Sequence, residues 1–257
     1  THGMLRWQEE GQEALLSDSK EPSWVHTPMS PSSASKIKRT AQLTLAEDGT
    51  LEGEARIEYY GHTAVERKEW DDDDSPAQRE ETLRESVKSR LSTAELSNIR
   101  IENITDPIKP YVYSYHIRVP GYATRTGKRL FIEPAFFQHG IGPMFPSSGR
   151  KYDVYFNYPW SEEDEVTINL PSGYKLDNAD SPSPFSSGEI TAYTPVLASL
   201  DGGKALLFQR KFFFGGKSAI IFPVTGYGRL KTYFDALHKS DSHTVTLKQT
   251  ATTAGVP

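Results

Sequence analysis

The chain has 257 residues, 34 acidic against 29 basic side chains, a formal net charge of −5 and no cysteine. That length suffices for one large domain or two small ones, and the mild negative charge without a basic face excludes the electrostatic footprint of a nucleic-acid binder. The missing thiols exclude disulfides, thiolate metal sites and a cysteine nucleophile within the chain, and no apolar run approaches the roughly 18 residues that span a bilayer.

In chain order, residues 1–20 read as two short strands about Glu9-Glu10-Gly11. With Gly in third place, a three-residue loop pairs Arg6 with Ala14, Met4 with Leu16 and His2 with Asp18. Residues 21–35 have the Pro/Ser-rich composition of a linker. From Lys36 to Tyr60 the apolar residues fall on odd positions, Ile37, Ala41, Leu43 and Leu45, then Leu51, Ala55, Ile57 and Tyr59, the period-2 mark of half-buried strands. Only a three-residue loop, Glu47-Asp48-Gly49, keeps both sets on one face, pairing Leu45 with Leu51 and Leu43 with Gly53. Residues 61–70 read as an extended continuation. Ser75, Pro76 and Gln78 then form a helix start with a capping box, and Leu83, Val87 and Leu91 predict a helix over 76–91 packed on a sheet by that edge.

Strands are predicted over 98–104, 111–119 and 129–133, followed by a turn-rich stretch, 139–149, and a boundary near Arg150. Beyond it come strands over 152–158 and 165–170 and a hairpin about Asp201-Gly202-Gly203. A three-residue loop there pairs Ala198 with Leu206, Val196 with Phe208 and Ala192 with Phe212, with Leu197 opposite Leu207 on the other face. Leu230, Tyr233, Phe234 and Leu237 at helical spacing predict a helix over 228–239, and residues 243–249 a last strand. The expected fold is mainly β, with antiparallel sheets in sandwich-like packing and two helices. Its units are 1–20, the linker 21–35, and β-rich segments 36–149 and 150–257, which can form one domain or two.

Few residues point to chemistry. Gly216-Lys217-Ser218 ends like a phosphate loop but Lys211 stands where its first glycine belongs, and Gly226-Tyr227-Gly228 lacks the third glycine of a dinucleotide site. Asp71 to Asp74 lack the alternating spacing of a calcium loop and suit a helix start better. Tyr111, Tyr113 and Tyr115 alternate in phase with Ile117 and Val119, so they are expected to be buried core; as an exposed face they would stack on peptide or glycan. No HExxH or GxSxG pattern occurs, and no metal or cofactor is implied.

The segments KIKRTAQLTLAEDGTLEGEARIEYYGHTAVERKEW, VPGYATRTGKRLFIEP, GRKYDVYFNYPWSEEDEVTINLPSGYKL and YGRLKTYFDALHKSDSHTVTLKQ resemble the C-terminal β-rich domain of unknown function of bacterial transglutaminase-like proteins. In that family such a domain follows a papain-like Cys-His-Asp core. The resemblance implies that residues 1–20 are the end of that core, with His2 and Asp18 at the places of its last two triad members and the cysteine elsewhere. It further implies an envelope-associated bacterial protein, and a non-catalytic accessory role in which this chain packs on the core and presents protein or peptide substrate to it. The alternative is a free-standing binding module for peptide or glycan that uses an aromatic face such as Tyr111, Tyr113 and Tyr115, placed at the cell envelope by the same resemblance.

Overall fold

The computed structural model describes residues 3–178 and 180–250. The chain opens with a ribbon of β1 (Glu13–Leu16) and β2 (Ser23–His26), followed by the hairpin β3 (Lys36–Leu45) and β4 (Leu51–Tyr59). Two helices follow, α1 (His62–Asp71) and α2 (Pro76–Lys88), then β5 (Glu95–Glu102), β6 (Tyr111–Val119), β7 (Thr124–Thr126) and β8 (Arg129–Ile132). The second half holds β9 (Val154–Tyr155), β10 (Trp160–Asn169), β11 (Tyr174–Asn178), β12 (Phe185–Ser187), β13 (Thr191–Leu200), β14 (Ala205–Phe214) and β15 (Ile221–Phe222). It closes with α3 (Tyr227–Asp241) and β16 (Val245–Gln249).

One eight-stranded sheet, ordered β12-β13-β14-β10-β3-β4-β6-β5, forms the frame. Its neighbours run antiparallel except β3 and β10, which are parallel. The segments on either side of the expected boundary near Arg150 therefore share a sheet, joined by that parallel pair. A four-stranded sheet, β11-β16-β8-β7, packs on one end of the frame. There Leu130, Ile132, Val245 and Leu247 meet Leu43, Leu45, Val166 and Ile168, and the Leu83 and Val87 edge of α2 joins the same core. At the other end α3 buries Leu230, Phe234 and Leu237 against Tyr193, Phe212 and Phe214 in a second core. The fold is thus mainly β and sandwich-like, as the alternation of apolar residues dictates.

The first hairpin has the predicted register, Leu45 opposite Leu51 and Leu43 opposite Gly53, and Gly49 takes φ +88° in the turn. The predicted capping box of α2 is formed, with Gln78 N donating to Ser75 Oγ and Ser75 N to Gln78 Oε1. Four expectations are corrected. The β13–β14 loop has four residues rather than three, because Asp201 as well as Gly202 and Gly203 takes a positive φ; Leu200 then faces Ala205 and every pair slips by one. Tyr193 therefore faces Phe212 and Leu197 faces Phe208 on the core side, while Val196 points outward.

Residues 61–70 are helical where an extended segment was expected. The strand pattern stops at Tyr60, and Ala64, Glu66, Arg67 and Lys68 are good helix formers. The hydroxyl of Ser35, from outside the helix, accepts the His62 N–H at 3.1 Å. Near the N-terminus the expected hairpin about Glu9-Glu10-Gly11 is not formed: residues 7–9 make a 3-10 turn, and Glu13–Leu16 pairs instead with Ser23–His26 inside the expected linker. Finally, Asp71 is not part of the α2 start; it ends α1 and is buried.

Candidate functional site

The strand registers place a polar row across the middle of the frame, between the two cores. Arg210 lies opposite Asp164, Asp164 opposite Arg39, Arg39 opposite Ile57 and Ile57 opposite Tyr113. Arg39 donates from Nε to Asp164 Oδ1 at 2.6 Å and pairs with Glu162 through Nη2. Arg210 donates to Glu162 Oε2 at 2.8 Å and to Asp241 Oδ1 at 2.9 Å, and Tyr193 and Gln138 donate to Asp241 and Asp164. Burial by itself would raise the pKa of Glu162, yet Arg210 and Arg39 hold it down to about 2. Burial raises Asp241 above the usual carboxylate range despite Arg210. Each buried charge here has an opposite charge in contact, the condition for carrying ions inside a protein.

Beside this row lies a cavity of about 430 Å³ between α2 and the β4–β6 face of the frame. Ile57, Tyr59, Tyr113 and Tyr115 floor it, Leu83 and Val87 wall it, and the 137–142 segment closes one side. Its mouth lies between the exposed Ser86 and Ser89 and the exposed Gly140–Gly142. Arg39, Arg67 and Arg90 line it, and no carboxylate does. Arg39 is neutralised by the row just described. The Arg67 guanidinium sits 5.2 Å from the centre of the Tyr59 ring and makes no hydrogen bond or ion pair with a described residue. Arg90 donates from Nη1 to the carbonyls of Phe136 and His139, at 2.8 and 3.4 Å, and burial pulls its pKa down. Gly140, at φ +76°, packs on the same residue: a Cβ there would meet the Arg90 carbonyl oxygen at 2.2 Å, so only glycine allows that approach.

The sequence-predicted site residues fall as follows. Tyr111, Tyr113 and Tyr115 are buried as expected, 0, 5 and 1% exposed, so their rings offer no face on which a glycan could stack from solvent. Tyr111 and Tyr113 both donate to Asp71 Oδ2, the latter at 3.3 Å. Tyr115 Oη has no hydrogen-bond partner; burial pushes its pKa up to about 12, with Arg90 acting in the other direction. His2 lies outside the described residues. Asp18 sits in an exposed turn, its Oδ1 accepting the N–H of Lys20 at 2.7 Å and of Glu21 at 3.1 Å, bonds that lower its pKa. The expected pairing of Leu16 with Met4 is not formed, since Leu16 pairs with Ser23. Among the described residues no three His, Asp or Glu side chains converge as a metal site, and no helix is long and apolar enough to cross a membrane.

Compared with known families, the chain matches a domain of unknown function with a solved structure, DUF3858, over residues 128–247. These residues carry a DUF3858 domain. Neither the curated proteins nor the solved structures gave a match. The DUF3858 segment runs from β8 into β16 and supplies Gln138, Glu162, Asp164, Arg210 and Asp241 of the polar row, whereas Arg39 comes from outside it. Arg67, Arg90 and Tyr115 also lie outside, facing the 137–142 segment that the domain contributes to the cavity. Sequence reading missed Arg39 and Arg210, although a signal was present: each stands in phase with apolar neighbours, Arg39 with Ile37 and Ala41, Arg210 with Phe208 and Phe212. Arg90 also carried a signal, standing three residues after Val87 and seven after Leu83 in helical phase with them, whereas the place of Arg67 depends on how α1 docks.

Proposed function

We propose that this chain is a non-catalytic accessory domain of a bacterial, envelope-associated transglutaminase-like protein, resting on the Cys-His-Asp core of the same polypeptide and presenting substrate to it. One observation carries the docking part of this reading. The β1–β2 ribbon exposes Leu15 and Leu16 at 56 and 54%, and Trp24 and Val25 at 69 and 40%. Register puts Leu15 and Trp24 on one face and Val25 with Leu16 on the other, so both faces of an isolated two-stranded ribbon are apolar and open. Such a ribbon is marginal in water by itself, and exposed apolar area of this kind marks a surface that another protein covers.

The base of the ribbon is fixed to the body. Glu10, buried, bonds His62 Nε2 on α1 at 3.0 Å and accepts the Ser30 N–H at 2.9 Å, which holds the ribbon in one direction. Next to it Tyr155 of β9 and Ile221 of β15, 50 and 62% exposed, line a cleft of about 440 Å³ together with Gln12 and Thr27. The partner named in this reading rests on the resemblance of residues 36–249 to the C-terminal domain of the transglutaminase-like family.

The coding sequence upstream of Thr1 tests the reading, since a Cys-containing transglutaminase-like core encoded there is the expected result and its absence overturns it. In that longer protein Trp24 should be shielded, with blue-shifted emission and weaker acrylamide quenching than in the 257-residue chain. Equal quenching in both would show that the ribbon does not dock.

A further inference from the structure

We propose that the cavity beneath α2 is a binding site for a small organic anion, whose oxyanion head is held by Arg67, Arg90 and the Tyr115 hydroxyl and whose apolar body lies against Tyr59 and Phe137. This stands independently of the ribbon and its docking. Three observations support it.

The first is charge. The lining contains guanidinium groups and no carboxylate, and Arg67 and Arg90 have no ion pair with any described residue. The second is the orphaned hydroxyl. Tyr115 is 1% exposed, lines this cavity, and its Oη makes no hydrogen bond of ordinary geometry, with only the Arg90 guanidinium beside it, whereas the buried Tyr111 and Tyr193 hydroxyls each donate to an aspartate. A buried donor left unmade costs free energy unless something enters to accept from it. The third is preorganisation. Arg90 spends Nη1 on the carbonyls of Phe136 and His139, which leaves Nε and Nη2 uncommitted, and Gly140 packs on its backbone. Fixed donors of this kind are what a carboxylate or phosphate head recognises, because guanidinium bonds to an oxyanion are charge-assisted and directional. A volume of about 430 Å³ lies within the range of small-molecule sites, and the aromatic wall favours a body such as a phenyl or branched aliphatic group.

Binding to the 257-residue chain can be measured by isothermal calorimetry with three probes: hippurate, phenyl phosphate and the neutral hippuramide. At least one of the anions should bind saturably and about tenfold or more tighter than hippuramide, and the tighter of the two identifies the head as carboxylate or phosphate. Arg67→Gln should weaken that anion by about tenfold or more, while Arg84→Gln, on the outer face of α2 beside Glu80 and Glu81, should leave it unchanged. Tyr115→Phe should weaken it by roughly fivefold without lowering the melting temperature, since the hydroxyl removed makes no hydrogen bond of ordinary geometry within the protein. A purely structural Tyr115 would show the reverse, a lower melting temperature and unaltered affinity. No saturable binding of either anion, equal binding of hippuramide, or equal effects of Arg67→Gln and Arg84→Gln would overturn the proposal.

Discussion

The polar row around Arg210 and the cavity around Arg67 and Arg90 lie side by side on one face of one sheet, yet they treat their charges in opposite ways. In the row, two arginines meet three carboxylates, Gln138 and Trp160 donate to second oxygens of Asp164 and Glu162, and Tyr193 shares Asp241 Oδ1 with Arg210. In the cavity, two arginines meet aromatic rings and backbone carbonyls, and a tyrosine hydroxyl is left without an acceptor. The difference separates a polar group that holds a fold together from one that is held ready by it. The row is closed within the chain and ties the DUF3858 segment to β3, whereas the cavity has donors in excess.

Removing Arg210 should break this comparison most severely. Arg210→Met fills similar space but leaves Asp241 buried without its cation and Glu162 with Arg39 alone, and urea unfolding should show a loss of about 3–5 kcal/mol. A loss below about 1 kcal/mol would mean that the row does not bear on stability.

Acid should open the row from the carboxylate side. Glu162 has its pKa depressed from 4.5 to about 2, so its contribution, about 3 kcal/mol, is fully present above pH 4.5 and is lost as pH falls toward 2. Asp241, raised by burial, acts in the opposite sense and moderates the slope. Unfolding free energy measured between pH 5 and pH 2 should therefore fall in the native chain and fall distinctly less in Glu162→Gln.

Between the two regions stands the 136–142 segment, which lends Gln138 to the row and Gly140 to the cavity. Gly140→Ala combines a positive φ with a contact of 2.2 Å to the Arg90 carbonyl, and should cost about 1–3 kcal/mol in thermal or chemical unfolding. An unchanged stability would show that the segment yields easily and that Arg90 is not held in place. The smallest effect belongs to Arg67. Stacked on Tyr59 without a carboxylate partner, it should cost no more than about 1 kcal/mol when changed to Gln, far less than Arg210→Met measured in the same way.

Sequence alone determined what depends on neighbours along the chain. Alternation set β3, β4 and β6, the register of Leu45 on Leu51 followed from keeping apolar residues on one face, the burial of Tyr111, Tyr113 and Tyr115 followed from their phase with Ile117 and Val119, and the Ser75–Gln78 capping box was written in four residues. Where local signals were balanced, the contacts of distant segments decided. The β13–β14 loop gained a fourth residue because its register answers to β10 and α3 as well as to its glycines. Residues 61–70 coil because Ser35 and the β4–β6 face receive them. β1 pairs with β2 where a tighter turn was expected. The candidate site lies wholly in this second class: Arg39 and Arg210 betrayed themselves by interrupting apolar rows, but whether an arginine turned into the fold finds a carboxylate, as Arg210 does, or an aromatic ring, as Arg67 does, is fixed by which strands and helices lie opposite it. Pairing of charges is a short-range interaction between residues far apart in the chain, and only the tertiary fold brings them within its reach.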